Sequence, residues 1–135
     1  MEDCIFCKII NRQIPSDIIY EDDQTLAILD IRPVSRGHAL VMPKKHTEDL
    51  LSATGEDLVN TIKVTQKITR AVKDATGAIG MNVSTNNGAA AGQVIFHLHF
   101  HIIPRFGNDN LSPWPHQETE PKTRAELAEK IKKLL

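Results

Sequence analysis

The apolar positions of this chain fall in short runs, with one long exception. "DIIYEDD" and "TLAILD" concentrate Ile, Leu and Tyr around the polar cluster "EDDQ", which reads as two strands joined by a hairpin turn. "HALVMP", residues 38–43, reads as a third strand, stopped by Pro43. From about Thr54 to Thr76 the period becomes helical, with Leu58, Ile62, Ile68 and Val72 as the apolar stripe. Thr54 is placed to cap this helix, Glu56 and Asp57 fall in its first turn, and Gly77 ends it. "GMNVST" reads as a fourth strand, "NNGAAAG" as a loop and "FHLHFHIIP" as a fifth strand. Before the first strand, Cys4 to Arg12 is apolar at Ile5 and Ile9 and suits one or two helical turns. From Phe106 the chain loosens through "GNDNLSPWPHQETEP". Thr123 and Glu126 then mark a capping box for a last helix, with Leu127, Ile131 and Leu134 on one side. Short strands around one long helix predict an α+β domain, a five-stranded antiparallel sheet with the helix packed on it. The domain is expected over residues 1–107, with 108–135 a C-terminal tail carrying a short helix.

Composition narrows the classes of function. Lys plus Arg is 16 against 17 for Asp plus Glu, so the basic excess of a broad nucleic-acid footprint is missing. An anionic ligand must then be small and held by local groups. No apolar run approaches the length of a membrane span, and "MEDCIFCKII" is acidic at once, unlike a secretory signal; a soluble, cytoplasmic protein is expected. Cys4 and Cys7 are too close in sequence to staple a fold. As a Cys-x-x-Cys pair they leave three readings: inert thiols, a redox pair, which needs a strand before it and a helix after, or half of a zinc site still wanting two ligands.

The chemistry concentrates in "QVIFHLHFHIIPR", where His97, His99 and His101 occupy every second position. Imidazoles pack poorly in a core and cost free energy to bury unpaired. With 6 His in 135 residues, chance produces such a row in about one chain in a hundred, so a purpose is expected. A metal held by all three is awkward: on an extended strand alternate residues lie roughly 6.5 Å apart and the outer pair roughly 13 Å, while zinc wants each nitrogen at about 2.1 Å. A phosphate suits the row better. Imidazole offers N–H donors and a free lone pair, attacks phosphorus well and leaves well, and at a pKa of about 6.5 is mostly neutral at pH 7. The middle residue, His99, is best placed to attack.

"HLHFHII" has the alternating histidine signature of the histidine triad superfamily of nucleotide hydrolases and transferases, which this chain resembles from about Cys4 to Arg105. "IFCKIINRQIPSDIIYEDDQTLAILDIRPVSRGHALVMPKKH" is similar to the N-terminal half of Hint-type and prokaryotic members. The resemblance implies a homodimer acting on a purine nucleotide. His99 would take the nucleoside monophosphate, His101 would contact the phosphate, and His97 would supply a carbonyl to His99. His38 matches a family histidine near the α-phosphate, and Asp30 the acid that accepts from the ribose hydroxyls; a turn role for Asp30 stays open. Phe6, Ile9, Ile28 and Ile31 would form the purine slot, or plain core. Asn86 matches an amide at the phosphate, and Gly92 with Gln93 a backbone that approaches it closely. The family often has Ser or Thr after that pair, where this chain has Val94. Related branches bind a structural zinc with such a cysteine pair, a downstream histidine and the first triad histidine, which maps to Cys4, Cys7, His46 and His97. Nucleoside phosphoramidates and dinucleoside polyphosphates compete as substrates. A nucleotide-binding interaction module with residual hydrolysis, and a metal-dependent hydrolase, are the other readings.

Overall fold

A computed structural model describes residues 3–135, and the nine elements below are those of the described residues. A short helix α1 (Ile5–Ile10) leads into the hairpin of β1 (Ile18–Glu21) and β2 (Thr25–Leu29). Then come β3 (Ala39–Pro43), the long helix α2 (Gly55–Thr76), β4 (Gly80–Ser84), a single 3-10 turn at Ala89–Ala91, β5 (Phe100–Arg105) and α3 (Pro121–Lys132). The strands form one sheet in the order β1-β2-β3-β5-β4, with every neighbouring pair antiparallel. The α+β architecture expected from the sequence is the one observed. In the first hairpin Asp22 Oδ1 accepts from the N–H groups of Gln24 and Thr25, each at 2.8 Å, which closes the turn that "EDDQ" predicts.

Strand alternation divides the core into two layers. Ala27, Ala39, Val41 and Ile102 face α2 and pack on Val64, Ile68 and Val72. Leu26, Ile28, Leu40 and Met42 face the other way and pack on Phe6 and Ile9 of α1. Thus α1 is anchored by Phe6 and Ile9, while Ile5, expected on the apolar side, is 42% exposed. The stripe on α2 also differs from expectation. Thr61 and Thr65 are buried beside Val64, Ile68 and Val72, whereas Ile62 is 47% exposed and Leu58 only half-buried. Threonine is admitted because its hydroxyl bonds the carbonyl four residues back: Thr61 to Asp57 at 2.6 Å and Thr65 to Thr61 at 2.8 Å. The caps fit: Thr54 Oγ1 accepts from Asp57 N–H at 3.2 Å, and Gly77 takes φ +72°.

Two further boundaries move. The fifth strand begins at Phe100, so only His101 of the histidine row lies in regular sheet. β3 and β5 pair from Ala39↔Ile102 to Val41↔Phe100 and no further. Beyond that point Pro43 has no N–H to extend the ladder, and Leu98 N–H donates instead to the Thr47 carbonyl at 2.7 Å. The last helix starts at Pro121 after Glu120, with no side-chain cap, so Thr123 lies inside the helix and forms no capping box with Glu126.

Candidate functional site

The α1 face of the sheet carries a cleft of about 470 Å³, within the size range of small-molecule sites. Phe6, Ile9 and Ile28 form an apolar wall, and Asp30, Asn86, Gly92, His99 and His101 a polar end. Ile31 contributes only a lip, being 83% exposed. The sequence reading missed Ile14, Ile95 and Leu40, which also line the cleft. They belong to the α1-side apolar layer, and nothing in a lone Ile or Leu distinguishes a ligand wall from core.

Each histidine meets partners that fix its tautomer, because a carbonyl can only accept and a backbone N–H can only donate. His99 Nδ1 lies 2.7 Å from the His97 carbonyl and must carry the proton there. Its Nε2 is left with the lone pair, and no group of the described residues pairs with it. Phe6 stands edge-on to the His99 ring at 5.0 Å, which holds the ring plane. His38 Nδ1 accepts from Val34 N–H at 3.0 Å, so its Nε2 carries the proton and donates to His101 Nδ1 at 2.9 Å. His101 consequently keeps its own proton on Nε2. One row therefore supplies a lone pair from His99 and an N–H from His101. Burial pushes the His38, His99 and His101 pKa values below the usual imidazole range, so all three are neutral at pH 7.

His38 does not line the cleft; it is buried behind His101 and acts through it. Asp30 serves twice. Its Oδ1 accepts from Arg32 N–H at 2.8 Å, the turn role left open above, and its Oδ2 lies 3.6 Å from His38 Nε2 at the cleft edge. Asp30, His38 and His101 are close enough to hold a metal, but their hydrogen bonding opposes one. Coordination would need the lone pair of His38 Nε2, which the Val34 bond to Nδ1 commits to a proton.

The loop before the row departs from expectation. Gln93 is 4% exposed and absent from the cleft: its Oε1 accepts from Gly88 N–H at 2.8 Å and its Nε2 donates to the Glu48 carbonyl at 2.8 Å. The backbone N–H groups of Gly92 and Gln93 are also spent inside the loop, on Ala89 and Gly88 carbonyls. Gly92 does line the cleft at φ +91°, so its contribution is close approach rather than free donors. Asn86 Nδ2 rests 3.5 Å from the Gly92 carbonyl. Val94 lines the rim, 84% exposed.

A second cluster lies behind the first. His97 is fully buried, and its Nε2 lies 2.7 Å from the Pro43 carbonyl, which puts the proton there and leaves Nδ1 bare. That Nδ1 is 3.5 Å from Cys4 Sγ and 3.6 Å from Cys7 Sγ, while Cys7 Sγ is 3.4 Å from His46 Nδ1. Tetrahedral zinc with ordinary bond lengths sets sulfur and nitrogen ligands about 3.6 Å apart, so the four residues stand at the edges of such a polyhedron. Burial and the neighbouring Cys4 thiol push Cys7 up to about 11, and burial pushes His97 down to about 4. The donor set fits zinc, and the Pro43 carbonyl is the outer partner a metal-bound imidazole needs. His97 is also the residue whose carbonyl orients His99, so it joins the two clusters.

The α1 face of an antiparallel α+β sheet thus carries a cleft that ends in imidazoles of opposed tautomers. The chain belongs to the HIT family: its HIT domain spans residues 11–108. A HIT-like protein of Borreliella burgdorferi is 51% identical over 81% of this chain and 80% of its own length. An Arabidopsis thaliana protein named as an adenylylsulfatase is 47% identical over 81% of this chain and 55% of its own. One from Schizosaccharomyces pombe, named as an adenosine 5′-monophosphoramidase, is 38% identical over 95% of each chain. Crystal structures from Streptococcus mutans and Bacillus subtilis match 98% of this chain with TM-scores of 0.93 and 0.92, at 43% and 42% identity, and are themselves covered over 85% and 97%. A zinc-bound histidine triad protein of Mycobacterium smegmatis matches over 97% of both chains at 41% identity and TM-score 0.78. Membership of this family, with its named hydrolases, supports nucleotide hydrolysis as the general activity.

Proposed function

We propose that this protein cleaves a purine nucleoside 5′-phosphoryl bond, through a nucleotidyl-histidine on His99. The observation that carries the reading is the 2.7 Å bond from His99 Nδ1 to the His97 carbonyl, which leaves the Nε2 lone pair beside the cleft. That pair attacks the α-phosphorus, a phosphorus–nitrogen bond forms, and the bond to the leaving group breaks. His101 Nε2–H donates to a phosphate oxygen and steadies the charge that develops there. Water then attacks the same phosphorus, releases the nucleoside monophosphate and restores His99. Asp30 accepts from the ribose diol, and Phe6, Ile9 and Ile28 receive the base. The relatives' names support an adenylyl group joined to an amine or to sulfate.

Zinc held by Cys4, Cys7, His46 and His97 has all four positions filled by protein, which makes it structural. Its part is to fix His97 and, through the His97 carbonyl, His99. The zinc-bound relative and the ligand geometry support this reading. A cytoplasmic homodimer is the assembly the family resemblance implies.

The test is release of AMP from adenosine 5′-phosphoramidate and from adenylyl sulfate at pH 7, wild type against His99→Ala. Wild-type turnover falling by several orders of magnitude in the variant supports the covalent route. Turnover that survives the substitution refutes it and leaves a nucleotide-binding module.

A further inference from the structure

The chain's 2 cysteines both stand in the zinc cluster, and they are placed to react with each other as well as with a metal. Cys4 caps α1 and Cys7 lies one turn on. Helical geometry sets such a pair of α-carbons roughly 5 Å apart, within the roughly 4.4–6.8 Å that a disulfide spans. Both thiols are free, Cys7 N–H donates to Cys4 Sγ at 3.4 Å, and the two sulfurs lie within 4.8 Å of one another. The pair is also reachable. A second cavity, of about 390 Å³, opens on Cys4 and His46 beside the exposed side chains of Val94 and Phe96. Cys7 does not line it, so a small solute entering there meets the Cys4 sulfur first. Ile5, Val94 and Ile95 line both this cavity and the main cleft.

A change at the two sulfurs reaches the nucleophile by two short routes. His97 turns its Nδ1 to both cysteines and its carbonyl to His99 Nδ1. Between the cysteines, α1 carries Phe6, which stands edge-on to the rings of His97 at 5.9 Å and His99 at 5.0 Å. We propose, on the zinc and nucleotidyl-histidine readings above, that Cys4 and Cys7 form a peroxide-sensitive switch: oxidation to a Cys4–Cys7 disulfide frees the metal and slackens the hold on His99. Coordination keeps both sulfurs as thiolates. The Cys4 thiolate attacks a peroxide oxygen; a sulfur–oxygen bond forms, the oxygen–oxygen bond breaks, and hydroxide leaves. Cys4 is then a sulfenic acid. The Cys7 thiolate attacks its sulfur; a sulfur–sulfur bond forms, the sulfur–oxygen bond breaks, and a second hydroxide leaves. Each sulfur gives up one electron, the peroxide takes both, and solvent protons turn the hydroxides into water. The disulfide offers no thiolate, and His46 and His97 alone are half of a closed zinc site. A dithiol reductant reverses the oxidation and lets the metal return.

The test takes the full chain loaded with zinc and treats it with a small excess of hydrogen peroxide. Three quantities are followed: zinc released to a metallochromic dye, free thiols, and AMP release from adenosine 5′-phosphoramidate. With 2 cysteines in the chain, the thiol count reports this pair alone. One zinc should leave for every two thiols lost, the disulfide should map within single chains by peptide mass, and turnover should fall at least about tenfold. Dithiothreitol with added zinc should restore all three, which separates the switch from oxidation of methionine. Zinc retained while the thiols disappear, thiols lost to links between chains, or turnover that ignores the released zinc each overturn the proposal. Protein that takes up no zinc before peroxide refutes the metal centre and the switch with it. Untreated protein that releases no AMP refutes the nucleotide chemistry, and the zinc and thiol counts then decide the switch.

Discussion

Replacing His46 with alanine tests the metal centre and its grip on the nucleophile together. His46 Nδ1 is one of four donors lying within 4.8 Å of one another, and the side chain is only half-buried, so its loss leaves no large cavity. A metal that binds the folded state alone stabilises it by RT ln(1 + [L]/Kd), about 2.7 kcal/mol at a hundredfold excess over Kd. The entropy of unfolding is about 2.1 cal/mol/K per residue, which over 135 residues converts that stabilisation to about 10 °C in Tm. Wild-type protein should carry one zinc per chain by elemental analysis and lose about 10 °C on treatment with a strong chelator. His46→Ala should start near the lower value and respond little to chelation. Below both melting temperatures, where the metal-free protein is still folded, chelation of wild type should also cut turnover, because His97 loses its ligand bond and its carbonyl no longer holds His99 Nδ1. Metal-free wild type, grown with zinc and melting at the same temperature with or without chelator, would refute the reasoning.

Three more outcomes follow from single contacts. The catalytic lone pair requires neutral His99, and burial lowers its pKa below the usual imidazole value, so kcat/KM should fall on an acid limb whose midpoint lies below about 6.5; a midpoint at or above that contradicts the geometry. Asp30→Asn keeps an acceptor for the Arg32 N–H but loses the charged acceptor for the ribose, so kcat/KM should drop by about tenfold to a hundredfold with Tm unchanged, and a 2′-deoxy substrate should no longer be disfavoured. Thr25 is 1% exposed and its hydroxyl has no partner among the described residues, so Thr25→Val should raise stability by about 1 kcal/mol, or about 3 °C in Tm; a lower Tm means a hidden partner exists.

The sheet was legible because alternation and turn chemistry agreed along the chain. "EDDQ" announced its turn through Asp22, and Leu26, Ile28, Leu40 and Met42 marked one face against Ala27, Ala39 and Val41 on the other. The helix stripe was misread where polarity and burial part company. Thr61 and Thr65 look polar in a sequence, but each hydroxyl is satisfied within its own helix, which makes the residue a short apolar one to its neighbours. Ile62 looks like core and faces outward because α2 turns its Thr61–Val64–Ile68 line to the sheet. The capping box failed for another reason: Pro121 starts a helix without a side-chain cap, and the Thr-x-x-Glu pattern can fall inside one.

The histidine row shows why a motif can name a site without disclosing its geometry. Period two predicts three imidazoles on one face of one strand, and that strand would give them similar surroundings. Pro43 prevents it by ending the ladder, so the segment before Phe100 leaves the sheet and each ring finds a different partner. His97 turns to the Pro43 carbonyl and the cysteines, His99 to the His97 carbonyl, and His101 to His38. The break supplies the differences the chemistry needs: a bare Nδ1 for a metal, a bare Nε2 for phosphorus, and an N–H for the oxygen beside it. None of these follows from spacing, because each depends on a carbonyl or N–H contributed from elsewhere, at Pro43, His97 and Val34.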